Sequence, residues 1–185
     1  MRADRAEDNE FSAERIRELL AELINRARTA GLEPRLHVFG GSALALHFPS
    51  DNEVRATQDI DAIFVPEPEI IALVEEMADE HQLPRDWLNS RGKAFSPSGL
   101  PSSSEPITLA SPEELVAMKL AAAREQDLFD LGILARHLGI TSAETLVDLA
   151  FEAYGEHSVV LSESREEYVL LATDALARVS KGPGA

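Results

Sequence analysis

The sequence predicts an α+β fold of α/β-like character, with a small mixed sheet flanked by helices and followed by a C-terminal helical lobe. Short apolar runs that can form strands all lie before residue 110, whereas capped helical patterns dominate after it. The length of 185 residues fits one domain with a small extension. We therefore expect an α/β lobe over residues 1–110 and a helical lobe over residues 111–185, packed as one compact unit.

The first lobe alternates helices with strands. Its first helix carries apolar residues at helical spacing, with Ser12 as a cap and Gly31 just past the end. A Gly40-Gly41 turn separates the first strand from a short helix rich in Ala and Leu, which ends before Pro49. The predicted elements are helix 12–30, strand 36–39, helix 42–48, strand 59–65 and helix 67–81.

Residues 82–104 form a long connection rich in Pro, Gly and Ser, and such loops are usually functional or mobile. Three Ser/Thr-x-x-Glu patterns then predict helix starts, and the first places Pro112 at the first helical position after Ser111. The other two begin at Thr141 and Ser164. The predicted elements are strand 107–109 and helices 112–125, 127–138, 142–154 and 165–179, with residues 181–185 frayed.

Composition excludes several classes of function. The chain has no cysteine, so disulfides, thiolate metal sites and a cysteine nucleophile are excluded. No apolar run is long enough to span a membrane, and residues 1–10 do not resemble a secretory signal, so we expect a cytoplasmic protein. The net charge of −16 disfavours non-specific binding of nucleic acid. Residues 84–110 form the stretch with a net positive charge, and they are where a polyanion would dock.

Asp59 and Asp61 lie two residues apart on a predicted strand, so both side chains point to the same face. Two carboxylates this close repel each other unless a cation lies between them, and hard oxygen ligands suit Mg²⁺. The alternative is that one Asp caps the strand while the other faces solvent. The Asp-x-Asp pattern alone leaves the two interpretations equally open.

Gly40-Gly41-Ser42 opens a helix directly after a strand, where backbone N–H groups and a hydroxyl can bind phosphate oxygens. The alternative is a tight turn with Ser42 as an N-cap. The order of the elements favours the functional interpretation. The 16 residues between Ser42 and Asp59 allow a short helix and a return loop, so the turn and the carboxylates can meet at one end of adjacent strands.

Lys119 lies on the apolar stripe of its predicted helix, and a lysine on a buried face needs an anionic partner. That partner is either Asp127 or Asp130, which would make a structural ion-pair network, or a bound triphosphate. Arg124 belongs to the same pattern and can contact phosphate or pair with Asp127. Most charge clusters on helices are structural, which favours the network.

Three ordered blocks of sequence resemble the nucleotidyltransferase-like proteins of the polymerase-beta superfamily. The chain is similar in particular to the AbiEii and MenT toxin group and to a related bacterial family. The blocks are Gly40-Gly41-Ser42-Ala43-Leu44, Arg55-x-Thr57-x-Asp59-x-Asp61 and Leu115-x-x-x-Lys119-x-x-x-x-Arg124-x-x-Asp127-x-x-Asp130. The resemblance spans about residues 36–138 and implies a nucleotidyltransferase-type fold.

The resemblance also implies metal-dependent transfer of a nucleotide from an NTP to an acceptor. Asp59 and Asp61 would hold Mg²⁺ or Mn²⁺ and act in catalysis, and Lys119 would neutralise the leaving pyrophosphate. Asp127 would be a further ligand or the base. The residues that would bind the nucleotide are Gly40, Gly41, Ser42, Thr57, Lys119 and Arg124.

The acceptor stays open between tRNA, which would dock through residues 84–110, a protein side chain and a small hydroxylated molecule. A toxin would have a cognate antitoxin. The alternative from another class of protein is a catalytically degenerate member that acts as a nucleotide-binding or regulatory interaction module. In that protein Asp59, Asp61, Lys119 and Asp127 would form a buried polar cluster. Removing any of their charges would then lower stability rather than activity.

Overall fold

A computed structural model of the protein describes residues 10–180. These residues divide into two compact units. Unit 1 consists of residues 10–93 and 98–110, and unit 2 consists of residues 94–97 and 111–180. The α+β fold class predicted from the sequence is confirmed by a mixed sheet and helices on the described part of the chain.

Unit 1 contains a four-stranded mixed sheet with the order β3-β2-β1-β4. Its strands are β1 (Arg35–Phe39), β2 (Ile60–Val65), β3 (Leu88–Asn89) and β4 (Ile107–Leu109). Strand β1 pairs antiparallel with β2 and parallel with β4, and β3 pairs parallel with β2. The carboxyl end of β1 therefore meets the amino end of β2, as the register Phe39↔Asp61 shows.

Three helices accompany this sheet: α1 (Ala13–Thr29), α2 (Gly40–His47) and α3 (Glu67–His81). Ser12 caps α1, and its hydroxyl accepts a hydrogen bond from the backbone N–H of Arg15. Helix α1 packs against α2 and α3, while α2 packs on β1 and β2. Burial of the apolar stripe of α1 and of alternate β2 residues creates the core of the unit, as the periodicity of both segments predicts.

Unit 2 contains four helices, α4 (Pro112–Ala122), α5 (Glu125–Leu138), α6 (Ala143–Tyr154) and α7 (Arg165–Ser180). Helix α4 packs on α5 and α6, and α7 packs on α5 and α6. Ser111 caps α4 as predicted, since its hydroxyl accepts from the N–H of Glu114. Ser164 and Glu167 form the predicted reciprocal capping box at α7.

Several local predictions differ from the structure. Strand β2 begins at Ile60, so Asp59 lies just before the strand on which it was predicted, and α4 ends at Ala122 rather than at residue 125. The predicted loop 82–104 contains β3 and a 3₁₀ helix over Arg91–Phe95, because a two-residue strand has no detectable periodicity. Helix α6 is capped by Ser142 rather than Thr141. Helix α2 begins at Gly40 with Phe39 as its N-cap residue, so Ser42 lies inside the helix. The predicted fraying of residues 181–185 lies outside the described residues.

No helix among the described residues is long and apolar enough to cross a membrane.

Candidate active site

The Gly40-Gly41 turn lies directly against the carboxylate of Asp61. Gly40 has a φ of 66°, and a Cβ placed on it would lie 3.0 Å from Oδ2 of Asp61. Any side chain at this position would meet both an unfavourable backbone conformation and the carboxylate, so glycine is required. The structure thus brings together the start of α2 and Asp61 of β2, at one edge of the sheet.

Thr57 and Ser42 support this edge through the backbone. The hydroxyl of Thr57 donates to the backbone oxygen of Asp59 at 2.9 Å, and Gly41 lies beside the Thr57 side chain. The hydroxyl of Ser42 is buried and donates to the backbone oxygen of Phe39 at 3.0 Å. The hydroxyl protons of both residues are therefore engaged with the protein backbone, which fixes the turn and the segment that leads into β2.

Asn89 contacts the carboxylate pair. It ends the segment Leu83-Pro84-x-x-Trp87-Leu88-Asn89, which also resembles the related bacterial family but has no role assigned by its sequence. It lies opposite Asp61 in the register of β3 with β2, and its Nδ2 donates to Oδ2 of Asp59 at 2.9 Å. The pKa of Arg91 is raised, mainly by its hydrogen bond to Asp86 and to a smaller extent by the charges of Asp59 and Asp61. The two-residue strand β3, which contains Asn89, has no periodicity from which the sequence could predict it.

Trp87 anchors the long connection to the core. Its ring is fully buried, and its Nε1 donates to the backbone oxygen of Val74 at 3.0 Å. A buried ring cannot stack on a nucleic-acid base. Two of the basic residues in segment 84–110 have acidic partners, since Arg85 pairs with Asp79 and Arg91 pairs with Asp86.

Gly92 lies where its backbone approaches the ring of Phe39, the residue just before the Gly40 turn. A Cβ on Gly92 would lie 2.7 Å from Cε2 of Phe39, and this ring is 1% exposed. We expect Gly92→Ala to displace the ring and to lower the free energy of unfolding by about 1–3 kcal/mol, as overpacking does. Urea denaturation measures this change. Lys93→Ala, at the exposed neighbouring position, is the control, and equal stability of the two variants would contradict the prediction.

Within unit 2, Lys119 lies between two carboxylates. Its Nζ is 2.9 Å from Oδ1 of Asp127 and 2.6 Å from Oδ2 of Asp130. All three residues are buried, with 7%, 0% and 6% of their surfaces exposed. Arg124 adds a second cation, since its Nε is 2.6 Å from Oδ2 of Asp127. The four residues therefore form the ion-pair network that the sequence offered as one alternative for Lys119.

The network determines the charge state of Asp127. Burial by itself raises the pKa of this carboxyl, but the hydrogen bond from Arg124 and the charge of Lys119 outweigh burial, so the pKa lies below its usual value. Asp127 also accepts from the backbone N–H of Arg124 and so closes the capping box of α5. Its carboxylate thus joins the helix start to the buried lysine of α4.

A second polar cluster joins α1 to α3 in unit 1. Glu22, Glu80 and His81 place one ligand atom each within 4.8 Å of one another. Arg26 contacts both Glu22 and Glu80, so its positive charge already compensates these carboxylates. No spacing in the sequence indicates a partner for His81, because Glu22 is 59 positions away in the chain.

A small mixed sheet with a glycine turn against paired carboxylates defines a protein of the nucleotidyltransferase-type α+β fold. The family model described as "Nucleotidyl transferase AbiEii toxin, Type IV TA system" matches residues 7–180, and the chain belongs to this family. The predicted membership in this toxin group is confirmed. Comparisons with curated proteins and with solved structures gave no match.

Proposed function

We propose that this protein transfers a nucleotide from an NTP to an acceptor, with Mg²⁺ or Mn²⁺ held by Asp59 and Asp61. The observation that carries the proposal is the approach of the Gly40 backbone to the Asp61 carboxylate. A turn that can bind phosphate and a pair of carboxylates that can bind metal lie side by side in unit 1. Metal-bound triphosphate requires both features in one place.

The residues at this edge fit a divalent cation. Asp59 and Asp61 are half-buried and carry hard oxygen atoms; Asp61 lies on β2, and Asp59 lies directly before this strand. When bound, the metal would neutralise charge on the phosphate oxygens and polarise the α-phosphate. Because residue 40 is glycine, it places no side chain of its own against the Asp61 carboxylate.

The chain itself contributes positioning. The N–H groups of Gly40, Gly41 and Ser42 belong to the first turn of α2, and the first N–H groups of a helix can bind phosphate oxygens. In the transfer an acceptor hydroxyl forms a bond to the α-phosphorus while the bond from that phosphorus to pyrophosphate breaks. The hydroxyl proton leaves to a base. Holding the α-phosphate in line with the acceptor is the main task of such a site.

Lys119, Arg124 and Asp127 enter the proposal through the family resemblance, which gives them roles at the pyrophosphate and at the acceptor proton. Their contacts in unit 2 limit which of these roles each residue can take. A carboxylate whose pKa is lowered binds a proton weakly, so the contacts of Asp127 favour charge pairing over service as a base. Arg124, with 67% of its side chain exposed, is the member of the network best able to reach a phosphate.

The acceptor and the regulator complete the proposal. Family membership implies an antitoxin as the cognate regulator. For the acceptor we propose tRNA, which would dock through residues 84–110, and the protein-side-chain and small-molecule acceptors are the other outcomes of the test. Pairing of Arg85 and Arg91 with acids reduces the charge that this segment offers to RNA, so tRNA binding should be weak and should fall only gradually with salt.

The proposal is tested with the purified full chain, each α-labelled NTP, Mg²⁺ or Mn²⁺, and either total tRNA or a cell extract depleted of RNA. Label in tRNA supports the proposed acceptor, whereas label only in protein or in small molecules replaces that acceptor and keeps the chemistry. Transfer should stop when EDTA removes the metal. Metal-dependent NTP binding without any transfer would support the regulatory module, and absence of both would overturn the proposed function.

A further inference from the structure

The side chain of Asn89 is held in one orientation by its neighbours. Its Oδ1 accepts a hydrogen bond from the backbone N–H of Arg91 at 3.0 Å. Because a backbone N–H can only donate, the amide oxygen must face Arg91, and the NH₂ group must face the other way. That group donates to Oδ2 of Asp59 at 2.9 Å and to the backbone oxygen of Asp86 at 3.4 Å.

Two further observations place Asn89 at the carboxylate pair. The side chain is 9% exposed, so its hydrogen bonds are shielded from water. In the parallel register of β3 with β2, Asn89 lies directly opposite Asp61. Asn89 is therefore aligned with Asp61 and hydrogen-bonded to Asp59. A neutral amide at this position adds a donor without adding a third negative charge.

From this geometry we propose that Asn89 is a positioning residue for the metal site. Its amide orients the carboxylate of Asp59 and keeps the site at two negative charges. The inference rests on the proposed function, because it assigns a role toward the metal that Asp59 and Asp61 would hold. Groups that hydrogen-bond to metal ligands typically change metal affinity by about 10–100-fold when they are removed.

Two substitutions separate the parts of this role. Asn89→Ala removes both the donor to Asp59 and the acceptor for Arg91. Asn89→Asp keeps an acceptor for Arg91 but replaces the donor with an oxygen that repels Asp59 in the absence of a cation. We expect Mn²⁺ affinity to fall about 10–100-fold in Asn89→Ala, and to equal or exceed the wild-type affinity in Asn89→Asp, whose new carboxylate can bind the cation itself.

The readout is free Mn²⁺, measured by electron paramagnetic resonance during titration of the full chain without nucleotide. Urea denaturation in EDTA confirms that each variant is folded, and Asn25→Ala, at an exposed position of α1, is the matched control. Equal Mn²⁺ affinity of wild type and a folded Asn89→Ala would overturn the inference and leave the proposed function standing. Weaker binding by both Asn89 variants would assign the residue a purely structural role. Failure of the wild type to bind Mn²⁺ would overturn both proposals.

Discussion

Asp61→Asn is expected to reduce metal-dependent nucleotide transfer by at least about 100-fold, the loss that accompanies removal of a direct charge interaction with the metal. The substitution preserves the shape of the side chain and removes the negative charge that lies against the Gly40 turn. Initial rates of label transfer at fixed NTP concentration, together with Mn²⁺ affinity, measure the effect.

The same substitution should not lower the stability of the metal-free protein. Asp59 and Asp61 carry like charges, and the exposed Arg91 interacts with both to only a small extent, so we expect removal of one charge to relieve an unfavourable interaction. Asp79→Asn is the matched control, since it removes the same charge from an exposed ion pair of unit 1. Retained transfer in Asp61→Asn would favour a structural polar cluster. A loss of more than about 2 kcal/mol in the free energy of unfolding would favour it too, since an ordinary substitution costs about 1 kcal/mol.

Lys119→Met is expected to lower the free energy of unfolding by about 3–5 kcal/mol at neutral pH, the cost of breaking a buried ion pair from one side. Methionine matches the length of the lysine stem but removes the cation that Asp127 and Asp130 share. Calorimetry or urea denaturation measures the loss. Lys93→Met, an identical change at an exposed position, should alter stability by less than about 0.5 kcal/mol.

Acid should reduce the difference between the wild type and Lys119→Met. The pKa of Asp127 is lowered in the folded wild type, so the stability that this group contributes is present above its unfolded pKa of about 4. That contribution is lost as the pH falls through the lower folded pKa. In the variant, protonation of a carboxyl relieves the uncompensated charge, so the two stability curves should converge below about pH 4. A constant difference from pH 7 to pH 3 would contradict the network.

Nucleotide transfer by Lys119→Met, at a temperature where the variant stays folded, tests the role that the family resemblance gives this lysine. A loss of transfer without a loss of folded protein would assign Lys119 to the chemistry. Full transfer by the folded variant would confine Lys119 to the ion-pair network of unit 2.

The sequence alone determined the order of the seven α-helices and of three of the four strands in the described residues, because each of these has a local physical signature. Apolar spacing predicted α1, alternation predicted β2, and the Ser111 cap with Pro112 predicted the start of α4. The adjacency of the Gly40 turn and Asp61 was also predictable, since the spacing of the motifs allowed adjacent strands to meet at one end. Whether these residues catalyse transfer stays a prediction.

Only the tertiary structure decided the partners of the charged and polar groups. Asn89 reaches Asp59 because a two-residue strand pairs with β2, and such a strand is too short to produce a pattern in sequence. Lys119 had two alternatives in sequence, and the packing of α4 against α5 placed Asp127 and Asp130 on its ammonium group. Periodicity reports which face of an element is buried, but which side chains meet there depends on how separate elements pack together.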